Sequence, residues 1–287
     1  PPGTAPGAVD PRHHVEEGLG KLDFLVSQDI FLHDMTRKYA DVVLPASSFA
    51  EKDGTFTNTE RRVSRVREAA PLPGEARGDR EIVLLMAKAL GAHWPEYPDA
   101  ESVWNEIADL APAWYGLRYD RLEENGMQWP VPEMGHPGTP FLYSPAPARA
   151  GGRGKFFPVE YQRPIEEPDS EYPLVLSTGR TLYHYNSATM TMRESGITDK
   201  QEEPFFEIAM EDAVALGLAD GDLARLISRR GSLEARTHIS DRVFPGLVWM
   251  ALHFAEQKVN WLTHDVGDPL IGTPEFKISA VRVEAKR

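Results

Sequence analysis

Residues 179–191, GRTLYHYNSATMT, hold one Arg, two Tyr, one His, one Asn and four Ser or Thr hydroxyls within thirteen positions. No apolar periodicity assigns them to a core. Arg180 offers a planar fork that matches a phosphate group. His184 and Tyr185 supply donors and stacking faces, and Asn186, Ser187, Thr189 and Thr191 add short-range donors. The segment leaves the end of an apolar run at 174–178, where a strand should finish. It has the composition of a lining for a large, flat, polar, anionic ligand. An ordinary surface loop with scattered aromatics is the competing possibility.

Two further places carry possible ligand chemistry. Asp29 ends the run FLVSQD, and a carboxylate there accepts paired hydrogen bonds from the imino and amino groups of a purine such as guanine. A turn or cap Asp is the plainer alternative. Residues 51–62, EKDGTFTNTERR, mix acids, hydroxyls, an Asn and a basic pair after a Pro-stopped strand, where loops often bind ligands. His253 and His264 do not have the spacing of a helical metal pair, and no carboxylate is fixed to them, so structural roles are expected for both. Lys277, just before the last strand, is either an anion contact or one of many surface lysines. There is no nucleophile elbow, P-loop or GxGxxG motif.

The elements that must position these residues fall into two textures. A short amphipathic helix is expected at 14–22, then buried parallel strands at 24–29 and 40–45 flanking a helix at 34–39. Helix, strand, helix, strand suggests part of a doubly wound sheet. A polar loop should follow at 51–62 with a turn at Asp53-Gly54. A helix is expected at 80–91, N-capped by Asp79 and stopped at Gly91, and another near 100–110. The rest of 92–170 reads as long ordered loops, with a linker at 146–154. From Tyr172 the pattern turns to short strands at 173–178, 223–228, 232–239, 246–252 and 279–284, with a helix at 211–216 closed by Gly217. Such spacing suggests a barrel.

Composition narrows the function. The chain has 287 residues, enough for two domains. Lys plus Arg is 31 against 44 Asp plus Glu, a formal charge of −13, which argues against nucleic acid as the main partner. No apolar run approaches a membrane span. With no cysteine, the chain itself holds no disulfide, thiolate zinc site or cysteine-ligated iron–sulfur cluster. That is compatible with a cytoplasmic location. The opening PPGTAPG reads as an extended lead-in, and the chain as part of a longer protein.

Five ordered stretches, FLVSQDIF, YADVVLPASSFAEKDGTFTNTERRV, YPLVLSTGRTLYHYNSATMT, ISDRVFPGLVWMALHFAEQKVN and GTPEFKISAVRVE, together resemble the carboxyl-terminal part of molybdenum- or tungsten-dependent formate dehydrogenase catalytic subunits. These belong to the dimethyl sulfoxide reductase family. The resemblance is collinear over nearly the whole chain, weakest at 1–10 and 110–165. It implies α/β plus β: a partial doubly wound α/β region at 1–165 and a six-stranded double-psi barrel at 166–287.

The implied cofactor is bis(molybdopterin guanine dinucleotide), large, flat and anionic. Thr178, Arg180, Leu182, His184 and Tyr185 would then contact one dinucleotide, and Asp29 falls at the family's nucleotide-binding Asp. Asn260, Phe276 and Lys277 fall at positions facing the pterin, and Glu51 at a cofactor-adjacent acid. The family's Thr after the Asp29 strand is represented by either His33 or Thr36, because LHDMT is one residue longer than usual. The family's catalytic Cys or selenocysteine, His and Arg, and its iron–sulfur ligands, lie upstream of the matched region. No catalytic residue and no metal ligand is therefore expected here. The chain alone is expected to be inactive, with the N-terminal part of the same subunit and iron–sulfur or flavin/NAD electron-transfer subunits as partners. The alternatives are a nitrate or arsenic oxyanion enzyme, a complex I-type subunit, or a non-catalytic nucleotide-binding or docking chain.

Overall fold

The computed structural model describes residues 13–143, 153–201, 203–255, 257–268 and 272–286. The lead-in at 1–7 and the 146–152 part of the expected linker lie outside the described residues. The chain divides into two compact units. One takes in the described residues up to Ser27, then Phe31–Val43 and the chain from Tyr161 onward. The other takes in Gln28–Ile30 and Leu44–Glu160.

At the start come α1 (His13–Gly20), β1 (Val26–Asp29), α2 (Asp34–Tyr39) and β2 (Val42–Pro45). β1 and β2 form a two-stranded sheet. Val42 N bonds Leu25 O at 3.3 Å and Ala46 N bonds Asp29 O at 3.0 Å, so the offset stays constant and the strands run parallel. The α2 crossover is what a parallel pair requires. His33 N-caps α2, its ring accepting from Thr36 N, and both residues are buried. The expected burial of these strands is not observed: Phe24 is 62% exposed, and Val26, Val42 and Val43 are also exposed. A two-stranded ribbon presents too little surface to cover its own side chains.

In the second unit, β3 (Gly54–Thr57), β4 (Arg62–Val66) and β5 (Met127–Gln128) form a sheet in that order, accompanied by α3 (Asp79–Ala89) and α4 (Ala100–Leu110). The stretch expected as a polar loop therefore contains a strand. Thr55-Phe56-Thr57 has the β-branched and aromatic content that favours one, and the chain turns at 58–61, where Arg61 adopts φ 66°. Gly78, not Asp79, is the N-cap of α3. The Asp79 carboxylate is drawn away to Lys52 and to Gln28 Nε2 at 2.7 Å. Asp99 caps α4 through a capping box, as Ser102 N donates to it at 2.8 Å. The stretch read as loops has a small core of its own: Val63, Trp104, Leu117, Tyr119, Leu122 and Val131.

The remaining elements are β6 (Leu174–Gly179), α5 (Ser195–Thr198), β7 (Phe205–Ile208), α6 (Met210–Leu216), β8 (Leu223–Ile227), β9 (Ser232–Ile239), β10 (Leu247–Ala251) and β11 (Ser279–Ala285). The six strands close into the expected barrel in the order β10-β6-β11-β8-β9-β7, which leaves no edge. β6 runs parallel to β10 and β7 parallel to β9; the other pairs are antiparallel. Alternate residues point inward, so Leu174, Leu176, Phe206, Ile208, Leu226, Val248 and Met250 share one core. Gly217 ends α6 with φ 69°, a left-handed conformation open to glycine. Ahead of β6, Glu166 pairs with Arg229 and Arg230 on the β8–β9 turn. Burial would raise the Glu166 carboxyl, but the two guanidinium groups hold it below the usual range. Among the described residues, no helix is long and apolar enough to cross a membrane.

Candidate functional site

Strand register brings the sequence-distant candidates to one end of the barrel. β6 and β10 are parallel with Gly179 opposite Ala251, so both strands finish together. β11 runs antiparallel to β6 with Ser279 opposite Leu176. Two residues further on, Lys277 comes level with Thr178. Lys277 Nζ donates to the Thr178 carbonyl, and Thr178 Oγ1 donates to Phe276 O at 2.9 Å. These bonds lock residues about one hundred positions apart. Gly179 is required at the exit of β6, because a Cβ there would meet the Trp249 indole at 2.5–2.9 Å.

Beyond Gly179 the chain folds back on itself. Arg180 is exposed, and Asn186 Oδ1 accepts from its Nε at 2.9 Å, leaving the guanidinium end directed by a local brace. Asn186 and Ala188 adopt φ 49° and 58°, unusual for residues with a Cβ. Strained loop backbone of this kind is often found at binding sites. Thr191 Oγ1 is the hub of the loop, bonded to His184 Nδ1 at 3.1 Å and to Tyr185 N at 3.3 Å. His184 is buried, and its Nε2 bonds Gln201 O at 3.1 Å, so both ring nitrogens are occupied within the protein. Its part in the site is to fasten the loop. Leu182 and Tyr185 are by contrast 91% and 73% exposed.

Arg180 directly follows β6, and Lys277 is bonded to the Thr178 carbonyl near the end of the same strand. Burial and then the charge of Arg180 hold the Lys277 ammonium below the ordinary lysine value. Among the described residues, no carboxylate pairs with either cation. Two like charges near one strand end favour an anion between them. The buried polar atoms without partners include some in the segments that leave the same strands: Thr181 Oγ1, both ring nitrogens of His253, and Gln257 Oε1. The donor set fits a polyanionic group that also carries polar heterocycles, as a pterin dinucleotide does. His253 and Gln257 were not among the expected contacts. His253 stands two residues past the end of β10, as Arg180 stands one residue past the end of β6.

The other candidates divide between the units. Asn260 is 1% exposed, and its carbonyl accepts from Thr263 Oγ1 at 3.1 Å in the barrel unit. His264 bonds Ile278 O at 3.1 Å and Val266 N at 3.3 Å, and the Glu275 carboxylate lies 3.2 Å from its Nε2, contrary to the expectation that no carboxylate is fixed to it. Asp29 and Glu51 belong to the second unit. Asp29 ends β1, as expected for a strand-end carboxylate. Glu51 Oε2 accepts from Ser48 N at 2.8 Å in a capping box. Glu51 also lines a cleft of about 470 Å³ in the second unit, together with Lys52, Asp79 and Tyr119. Several of its acids are engaged locally, in the Lys52–Asp79 and Arg77–Glu81 pairs and the Asp99 cap.

Comparison with known proteins agrees with the barrel fold. Residues 9–89 match the family model described as molybdopterin oxidoreductase, and residues 174–280 that of the molydopterin dinucleotide binding domain. Among curated relatives, the F420-dependent formate dehydrogenase 2 subunit alpha of Methanococcus maripaludis is 46% identical over 273 residues, which is 95% of this chain and 40% of the relative. The corresponding subunit of Methanocaldococcus jannaschii is 45% identical, over 98% of this chain and 42% of the relative. The assimilatory nitrate reductase catalytic subunit of Bacillus subtilis is 36% identical, over 94% and 39%. The chain thus spans about two fifths of the length of these three relatives. Among solved structures, acetylene hydratase from Pelobacter acetylenicus shares the fold with a TM-score of 0.67 at 17% identity, over 94% of this chain and 41% of that one. The chain belongs to the molybdopterin oxidoreductase family, and its barrel is the dinucleotide-binding domain of that family.

Proposed function

We propose that this chain is the cofactor-holding carboxyl-terminal portion of a formate dehydrogenase catalytic subunit, and that the cofactor is bis(molybdopterin guanine dinucleotide) carrying molybdenum or tungsten. The observation that carries the proposal is the placing of two cations at the end of β6, Lys277 on the Thr178 carbonyl and Arg180 just past Gly179 on Asn186. A pyrophosphate group would satisfy both with charge-assisted hydrogen bonds. Thr178 holds Lys277 in place and Asn186 holds Arg180, so the cations are organised before the ligand arrives. Leu182, Tyr185, Asn260 and Phe276 are proposed to line the same ligand. Asp29 is proposed to receive the guanine and Glu51 to lie beside the cofactor.

A bound molybdenum or tungsten centre would supply the acceptor for the two electrons that formate gives up on becoming carbon dioxide and a proton. The residues described here bind and orient it. Catalytic residues and an iron–sulfur cluster are proposed to lie in a preceding part of the same subunit, so residues 1–287 alone would not oxidise formate. Electron-transfer subunits serving a flavin and NAD, or F420 as the names of the methanogen relatives suggest, would complete a cytoplasmic enzyme. Formate is favoured over nitrate because three F420-dependent formate dehydrogenase relatives are 42–46% identical, against 36% for the nitrate reductases and 37% for two putative formate dehydrogenases.

The test is to produce the full-length subunit that contains this chain in a cell that makes the cofactor. The purified protein should reduce an artificial acceptor with formate and should fail to oxidise reduced viologen with nitrate. Nitrate turnover without formate turnover would move the chain to the nitrate reductase branch.

A further inference from the structure

We propose that His253 is a ligand-binding residue of this site, and that it hydrogen-bonds the heterocyclic part of the bound dinucleotide as a neutral imidazole. The inference rests on the dinucleotide reading above and adds a residue and a role to it. His253 is 1% exposed, and neither Nδ1 nor Nε2 has a hydrogen-bond partner. Buried polar side chains are almost always paired, and a buried unpaired group is costly. An imidazole with both nitrogens idle is therefore a group whose partner comes from outside the chain.

Its position identifies that partner. Leu252 N donates to Gly179 O at 3.0 Å, so His253 stands one residue beyond the last bond between β10 and the peptide leading into Arg180. Its ring packs against His184 at 4.8 Å and Phe254 at 4.5 Å between centroids, and His184 is itself bonded into the 179–191 loop. The imidazole is thus held by two tilted ring contacts and free in hydrogen bonding.

Its chemistry then separates heterocycle from phosphate. A phosphate would call for a charged imidazolium, yet burial and then the neighbouring His184 hold His253 down to about 4. Neutral imidazole offers one donor and one acceptor, which suits the mixed edge of a pterin or guanine. Arg180 and Lys277 supply the charge for the phosphates. A structural histidine would instead spend its nitrogens inside the protein, as His184 and His264 do.

The test uses the full-length subunit, produced in a cofactor-making host as wild type, His253→Leu and His253→Gln. Two quantities are read: pterin released per polypeptide, by fluorescence after oxidation, and the melting temperature of each protein made without cofactor. We expect His253→Leu to carry at least ten-fold less pterin and to melt no lower than wild type when cofactor-free, because an idle polar group has been removed. His253→Gln, which keeps a donor and an acceptor, should recover part of the loading. Wild-type pterin content in His253→Leu would overturn the proposal while leaving the dinucleotide site intact. A lower cofactor-free melting temperature in both variants would also overturn it, by showing a structural role. Absence of pterin from the wild-type protein would instead overturn the dinucleotide reading on which it rests. A variant-free check is the ring 15N spectrum of the wild type. One His253 nitrogen should shift between cofactor-free and loaded protein, and an unchanged pair of resonances contradicts the proposal.

Discussion

The barrel and the β1–β2 ribbon treat apolar residues in opposite ways. Both are built from short runs rich in Val, Leu and Ile. In the barrel these runs alternate, and Leu176, Phe206, Ile208, Leu226, Val248 and Met250 are fully buried in a core that the chain closes on itself. In the ribbon, Val42 and Val43 are consecutive and both are exposed, and Val26 on the other strand is also exposed. A strand with apolar side chains on both faces is suited to a sheet covered on both sides. The difference teaches that the barrel is a self-contained scaffold, able to hold strand ends rigidly, while the ribbon has apolar surface beyond what its own elements cover.

That comparison can be broken or sharpened by four measurements on the chain. The largest effect is expected in the barrel core. Phe206→Ala should cost about 3–5 kcal/mol in urea denaturation, and a cost below about 1 kcal/mol would mean that the barrel is not the stabilising core. Next comes an acid dependence from His253. Its folded value of about 4 lies below the ordinary 6.5, so the unfolded chain takes up the proton first as pH falls. Stability should be fully present above pH 6.5 and fall by roughly 3 kcal/mol by pH 4. His253→Leu should lose that dependence, and an unchanged pH profile in the variant would remove His253 as its source.

A smaller effect concerns anion binding at the end of β6. In calorimetric titration with inorganic pyrophosphate, Arg180→Ala or Lys277→Ala should each weaken binding about ten- to hundred-fold, the worth of one charge-assisted hydrogen bond. Wild-type affinity should fall as pH rises towards proton loss from Lys277, and earlier than for an ordinary lysine, because the Lys277 ammonium is already disfavoured. Removing Arg180 relieves the repulsion, so the remaining pH dependence should move upward. The smallest effect is in the ribbon. Val43→Thr should change stability by no more than about 0.5 kcal/mol, and a loss of several kcal/mol would show that the ribbon is buried in solution.

Much of this architecture was legible from local signals. α2 and α4 appear within a residue of their expected bounds, since Asp99 caps one and a Pro-stopped strand follows the other. β8, β9 and β10 follow their alternating patterns, and the Gly217 stop was readable because only a left-handed residue closes α6 in that way. What escaped was decided by tertiary contacts. β7 was not anticipated because Glu207 interrupts the apolar run, and only its pairing with Arg242 makes its burial tolerable. Asp79 has an N-cap's composition but is diverted to Lys52. β3 was hidden by its polar neighbours.

Of the site, the Arg180 loop was readable from its own composition. Lys277 was not separable from any surface lysine until β11 placed it opposite Thr178. The two histidines show the same limit. His184 had the richer context, yet its nitrogens are engaged internally, while His253, expected to be structural, is the imidazole left idle. Residue type and spacing identify a histidine, but which hydrogen bonds it has left to make is decided only by the packed structure.

The most direct measurement of the central claim is the pterin content of the full-length subunit carrying Arg180→Ala and Lys277→Ala together, set against wild type from the same host. If the end of β6 holds the dinucleotide, the double variant should lose most of its pterin while its circular dichroism stays that of an intact barrel. Wild-type pterin content in that variant would contradict the claim, because the two cations would then be surface charges with no part in holding the ligand.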